Sequence, residues 1–195
     1  EYPESCATNA EGWTEVSGVY RAPKKAASAT IELHFRWAAN ARCEWSNVAL
    51  DECEPPKPRI VRLGAVHYVP NNGKTAMDSC EQLAPFIEQA AQQKADLVVL
   101  PETLTATGNG LSYADAAEPV PGPSTKYFGE LAKRHNLYIV AGLVERDMHL
   151  VYNTAALIGP DGELVGKYRK VTLPRTEVDA GVVPGNEYPV FDTRF

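Results

Sequence analysis

Ala95-Asp-Leu-Val-Val-Leu-Pro-Glu102 decides how the rest of this 195-residue chain is read. Leu97 to Leu100 form an unbroken apolar run, too short for a helix and holding two adjacent β-branched residues, Val98 and Val99. Such a run fits a strand buried on both faces, as in a sheet covered by helices. Pro101 has no N–H to give a ladder, so the strand stops there and the next residue is a carboxylate, Glu102. A charge just past the C-terminal edge of a buried strand stands where α/β proteins commonly place their sites. The competing reading is that Glu102 simply opens a solvated loop.

Outward from this stretch the pattern stays β/α over residues 59–195. Residues 60–68 read as a strand, and residues 75–94 as an amphipathic helix with Met77, Cys80, Leu83, Ile87 and Ala91 at helical spacing. Pro85 kinks that helix or divides it in two. Cys80 lies on its apolar face, which points to core packing rather than to a nucleophile. Residues 103–121 form a long stretch with little periodicity, and loops of that length tend to line sites. A helix follows from Pro123 to about His135, stopped at Asn136. Residues 137–145 and 152–158 then pair as a hairpin, Gly159-Pro-Asp-Gly162 turns the chain, and residues 164–169 return antiparallel. The expectation is an α/β fold on a mixed sheet: two βα units followed by a meander.

Residues 1–54 read differently. Thr-Ile-Glu-Leu-His-Phe-Arg-Trp at 30–37 alternates, with Ile31, Leu33, Phe35 and Trp37 on one face and Glu32, His34 and Arg36 on the other. That is the period of a half-buried antiparallel strand, and residues 13–20 and 43–50 read as two more. The prediction is a small N-terminal antiparallel β segment, the end of a carbohydrate-binding-like β-sandwich. Trp13, Trp37 and Trp45 all fall here and read first as core, second as a sugar-stacking platform for a glycan. Prolines at 55, 56 and 58 make residues 55–58 a stiff linker.

Composition narrows the function classes. A net charge of −6 and a pI near 5.3 leave no basic stripe to neutralise phosphates, so no nucleic-acid partner is expected. Arg21, Lys24 and Lys25 read as a solvated loop. No apolar run approaches a membrane span, so no membrane partner is expected either. Glu1 is not an initiator methionine, so the sequence reads as processed or trimmed. Cys6, Cys43, Cys53 and Cys80 have no zinc-like spacing, and no metal is expected. A Cys43–Cys53 disulfide in an exported protein and free thiols in a cytoplasmic one both remain open.

A second candidate for chemistry is Lys170, in Gly166-Lys-Tyr-Arg-Lys-Val-Thr-Leu-Pro174. Three cations in four residues usually mark a solvated edge. Lys170, however, stands at a strand end beside Val171 and Leu173. If it points at Glu102 across neighbouring strand ends, an acid–base pair results in a half-buried cleft.

Four stretches in order now become specific: Leu-Val-Val-Leu-Pro-Glu102, Tyr152-Asn-Thr-Ala-Ala-Leu-Ile-Gly-Pro-Asp-Gly162, Lys167-Tyr-Arg-Lys-Val-Thr-Leu-Pro174 and Pro184-Gly-Asn-Glu-Tyr-Pro-Val-Phe-Asp-Thr193. Together they resemble the nitrilase or carbon–nitrogen hydrolase superfamily over residues 59–195. The resemblance implies a partial nitrilase-type α-β-β-α sandwich, a homo-oligomer in the full-length form, and no cofactor. It implies hydrolysis of a small non-peptide amide or nitrile, with Glu102 as general base, Lys170 stabilising the oxyanion, and a Cys thiolate forming a thioester. A second glutamate of the family positions substrate or water; Glu177 is the better match and Glu187 the other. The family's cysteine follows a strand resembling residues 188–193, whereas all four cysteines here precede Lys170. The expectation is the N-terminal portion of a longer hydrolase, ending before its nucleophile and inactive alone. The front segment resembles the galactose-binding-like sandwich that some larger bacterial proteins join to such an enzyme. Bacterial cytoplasm and export both stay open as locations. The rival readings are a carbohydrate-binding module and a non-catalytic scaffold or pseudo-enzyme.

Overall fold

The computed structural model describes residues 3–36, 39–55 and 57–195. The chain divides into two units, Glu1–Pro56 and Lys57–Phe195, a boundary inside the proline-rich stretch.

In the first unit, β1 (Glu4–Ser5) pairs antiparallel with β2 (Val16–Ser17). Asn9 shapes the turn between them, its Oδ1 accepting from the N–H groups of Glu11 and Trp13. The strands expected at 30–37 and 43–50 do not form among the described residues. Glu32, His34 and Arg36 do line up on one side of an extended backbone, hydrogen-bonded in series at 2.9 Å each. The alternation is therefore real, but an alternating segment becomes a strand only when a ladder and a core receive it. Here Ile31, Leu33 and Phe35 stay exposed, as do Trp13 at 43% and Trp45 at 47%. The core reading of those two tryptophans is thus corrected; Trp37 lies outside the described residues. Cys6, Cys43 and Cys53 are exposed and free, so no Cys43–Cys53 bridge is present.

The second unit is built on one five-stranded sheet whose spatial order follows the sequence: β3 (Leu63–Ala65), β4 (Leu97–Val99), β5 (Tyr138–Asp147), β6 (Leu150–Ile158) and β7 (Leu164–Arg169). β3, β4 and β5 are parallel, and β5, β6 and β7 form the antiparallel meander. Pro85 divides the first helical stretch rather than kinking it. α1 (Ala76–Glu81) opens with a capping box between Thr75 and Asp78, and α2 (Ala84–Gln92) takes the proline in its first turn, where its missing N–H has no partner to lose. α3 (Tyr113–Ala116) lies in the long loop. α4 (Pro123–His135) ends at Asn136 in the left-handed region, with Lys133, Arg134 and His135 in its last turn opposite the negative end of the helix dipole. α5 (Arg175–Asp179) follows β7.

Leu83 and Ile87, with Phe128, Leu131 and Ala132 of α4, pack on Val98, Ile139, Ala141, Leu143, Ala156 and Ile158. This helical layer covers one face of the sheet. The central run is consequently not buried on both sides as expected: Val98 is fully buried, but Val99 is 40% exposed on the other face. Part of that second face is crossed by the last residues of the chain. The Phe191 ring fills the space above Gly166, and Arg194 donates its N–H to the Tyr138 hydroxyl at 3.0 Å.

Candidate active site

The chain leaves β4 through Leu100, whose N–H bonds Val140, and comes back to β5 when Leu104 N–H bonds Gly142. Between them Glu102 lies so close to β5 that a Cβ on Gly142 would come within 2.4 Å of the Glu102 Cα. Thr103 turns the chain with φ at +53°. Thr105 Oγ1 then accepts from Val144 N–H at 3.0 Å, and Asn109 Nδ2 donates to Thr105 O at 2.8 Å. The start of the 103–121 loop is pinned to the sheet, which fixes where Glu102 stands.

Strand period selects among the three cations at the end of β7, Lys167 and Arg169 within it and Lys170 just past it. Arg169 is opposite Thr154 and Lys167 is opposite Ala156, on the helix-covered face. Both serve Glu145, a carboxylate with 1% exposure: Lys167 Nζ at 2.5 Å, Arg169 Nη2 at 2.6 Å, and Thr154 Oγ1 at 2.7 Å. Burial alone would raise the Glu145 carboxyl, but these donors outweigh it and hold the group below the usual carboxylate range. Lys170, one residue further, turns to the other face with Asn153.

There the predicted residues meet. Lys170 Nζ donates to Glu102 Oε2 at 3.0 Å and to Glu177 Oε1 at 2.7 Å. Asn153 Nδ2 donates to Glu102 Oε2 at 3.0 Å and to Glu177 Oε2 at 3.1 Å. The Glu177 side chain is 7% exposed and that of Glu102 is 65% exposed, so one carboxylate forms the floor and the other stands at the opening. Glu187 is exposed and joins none of these bonds.

The hydrogen bonds from Asn153 and Lys170 hold the Glu102 carboxyl below its ordinary value. Burial pulls the Lys170 ammonium down, but the bonds to Glu177 and Glu102 outweigh it and hold it above its ordinary value. Both groups are charged at neutral pH. Two of the three Lys170 donors are used, and both Glu177 oxygens are taken. Among the described residues Glu102 Oε1 has no donor, so a basic oxygen and one ammonium N–H stay unused on neighbouring side chains. Among those residues no cluster of three or more His, Cys, Asp and Glu could hold a metal ion.

Cys80 is remote in chemistry. It is buried in the helical core, its thiol donates to Ser124 Oγ at 3.4 Å, and burial pushes it up to about 12, far from a thiolate at neutral pH. Asn153 carried no expectation beyond its place in a quoted motif. Its signal was nonetheless present: an amide inside the apolar strand Leu150–Ile158 has to find partners when buried.

Residues 72–195 match the family model described as carbon-nitrogen hydrolase. The chain belongs to the carbon–nitrogen hydrolase family. Relatives of this hydrolase-family chain include omega-amidase NIT2 of Homo sapiens, 35% identical over 127 residues, which are 60% of this chain and 46% of that protein. A beta-ureidopropionase of Arabidopsis thaliana is 31% identical over 173 residues, covering 77% of this chain and 41% of that protein. Among solved structures, Saccharomyces cerevisiae Nit3, a member of branch 10 of the nitrilase superfamily, superimposes with a TM-score of 0.58 at 25% identity, covering 69% of this chain and 52% of that one. The mixed sheet with its helical layer is thus a nitrilase-type α/β fold. This carbon–nitrogen hydrolase chain spans about half the length of the curated relatives it matches.

Proposed function

We propose that the chain carries the acid–amine part of an amidase site, completed by a thiol from outside Lys57–Phe195. One observation supports it above all: the Lys170 ammonium is held between two carboxylates, and among the described residues only Glu102 keeps an oxygen without a donor. A general base must be ionised and unengaged; Glu102 is held below its ordinary value and keeps Oε1 without a donor among the described residues, whereas both Glu177 oxygens accept bonds. Glu102 Oε1 takes the thiol proton. The thiolate attacks the carbonyl carbon of a small non-peptide amide, and the third Lys170 N–H meets the negative charge that develops on its oxygen. The C–N bond breaks as Glu102 returns the proton to the leaving nitrogen. Water, deprotonated by Glu102, then cleaves the thioester and frees the acid and the thiol. Glu177 keeps Lys170 oriented throughout.

An amide is favoured over a nitrile because relatives carry the names omega-amidase and beta-ureidopropionase. The test compares the 195-residue chain with a longer protein, extended to the length of its relatives and carrying a cysteine after Phe195. The chain alone turns over no small amide. The longer protein does, and Glu102→Gln or Lys170→Met lowers its kcat by at least about a hundredfold. Turnover that survives both substitutions overturns the reading. Light scattering on the longer protein checks the accompanying proposal that it is a homo-oligomer.

The exposed Trp13 and Trp45 favour a second reading, a glycan-stacking role for the first unit. Retention on a glycan array, lost in Trp13→Ala and Trp45→Ala, would carry it; retention indifferent to both would end it.

A further inference from the structure

We propose that Asn153 is a positioning residue that assigns different roles to the two glutamates, by fixing which oxygen of Glu102 is left free. The inference rests on the amidase reading of Glu102 and goes beyond it to the device that makes Glu102, and not Glu177, the base.

Asn153 sits in the middle of β6 and is buried. Its backbone is locked on both sides, opposite Val144 of β5, with its carbonyl accepting from Lys170 N–H at 2.8 Å. One residue therefore holds the main chain of the lysine and the side chains of both acids. An amide nitrogen has two protons, and each goes to a different carboxylate.

The consequences differ for the two acids. On Glu102 the Asn153 and Lys170 donors converge on the same oxygen, Oε2, which leaves Oε1 without a donor among the described residues. On Glu177 they go to different oxygens and leave neither. With Lys170 as its only donor, the half-exposed Glu102 carboxylate could rotate about its last torsion, which is broad for an sp²-terminated side chain, and present either oxygen to the ammonium. The second donor removes that freedom. It also gives each of the two carboxylates that share one ammonium a neutral donor of its own.

The proposal is read in the 195-residue chain, without turnover, by NMR titration of glutamate side-chain carboxyl carbons. Signals are assigned by their disappearance in Glu102→Gln, Glu177→Gln and Glu145→Gln. In Asn153→Leu, which has no donor, the titration of Glu102 moves to higher pH while that of Glu145, on the opposite face of the same strands, stays in place. Asn153→Asp keeps the size and replaces donors by an acceptor, so it moves Glu102 further in the same direction and serves if the leucine variant does not fold. A Glu102 titration unmoved by these substitutions, or one that moves only together with Glu145, overturns the role. In the longer protein the acid limb of the kcat profile shifts upward in Asn153→Asp. Amide turnover that survives Glu102→Gln would instead sink the amidase reading and leave the titration result standing.

Discussion

Lys170 shows how much one side chain holds together. Its ammonium is the partner of the nearly buried Glu177 and of the open Glu102. In Lys170→Met, Glu177 keeps only the Asn153 donor while staying out of water. Leaving a buried charge short of its partner costs several kcal/mol at most, so a loss of about 2 kcal/mol at neutral pH is expected. Urea unfolding of the two proteins at neutral pH checks the magnitude. Cys80 supplies a simpler check at the same scale. Its buried thiol, held near 12, should resist iodoacetamide in the native chain at mildly alkaline pH, while the exposed Cys6, Cys43 and Cys53 are alkylated. Peptide mapping distinguishes them directly.

At the scale of elements, the decisive feature is the register of β7. The strand carries Lys167 and Arg169, with Lys170 directly after its end, and a slip of one residue would turn Lys170 toward the helical layer and offer Arg169 to the carboxylates. The meander cannot fix this by its turn alone, since the β6–β7 register shifts between Leu157 and Ile158. Glu145 does so by taking Lys167 and Arg169 on its own face. Glu145→Leu leaves both cations without that partner and should cost about 3 kcal/mol, toward the low end for a broken buried pair because both cations are partly exposed. Glu145 and Glu102 are both held below the ordinary carboxylate value, so the native chain binds fewer protons than the unfolded one in that range. Their stabilisation is complete above the unfolded value of about 4 and is lost as pH falls through their folded values. Acid unfolding should be shallower in Glu145→Gln. The contact between β5 and the Glu102 backbone is equally sensitive: Gly142→Ala forces a Cβ onto Glu102 Cα and should cost about 1–3 kcal/mol in thermal or urea unfolding.

Across the molecule, the two units differ in how they are held. The described residues of Glu1–Pro56 bury no hydrophobic side chain, whereas Lys57–Phe195 has a continuous core between its helices and sheet. Amide protection should follow that difference. Hydrogen exchange is expected to be slowest in β5 and β6, which are buried along most of their length, and close to that of an unstructured chain over residues 18–36 and 39–55. Slow exchange at residues 30–36 would show that the alternating segment finds a ladder after all.

Local pattern was enough for a good part of this protein. The run before Pro101, the helix ending at Asn136, the turn at 159–162 and the motifs that mark the family are all readable without coordinates, because each depends on residues within a few positions of one another. Glu102 and Lys170 were legible for the same reason, as motif positions, and Glu177 was the better match than Glu187 on the same ground. Two things were not. The part played by Asn153 and the face presented by each of Lys167, Arg169 and Lys170 depend on bonds that span up to 68 residues. Only the tertiary structure decides these, because a strand's period fixes which residues share a face but not which face is buried or what waits there. Residues 30–36 carry the same lesson in reverse: alternation prepares a surface, and without a partner to bury it the chain remains extended and exposed.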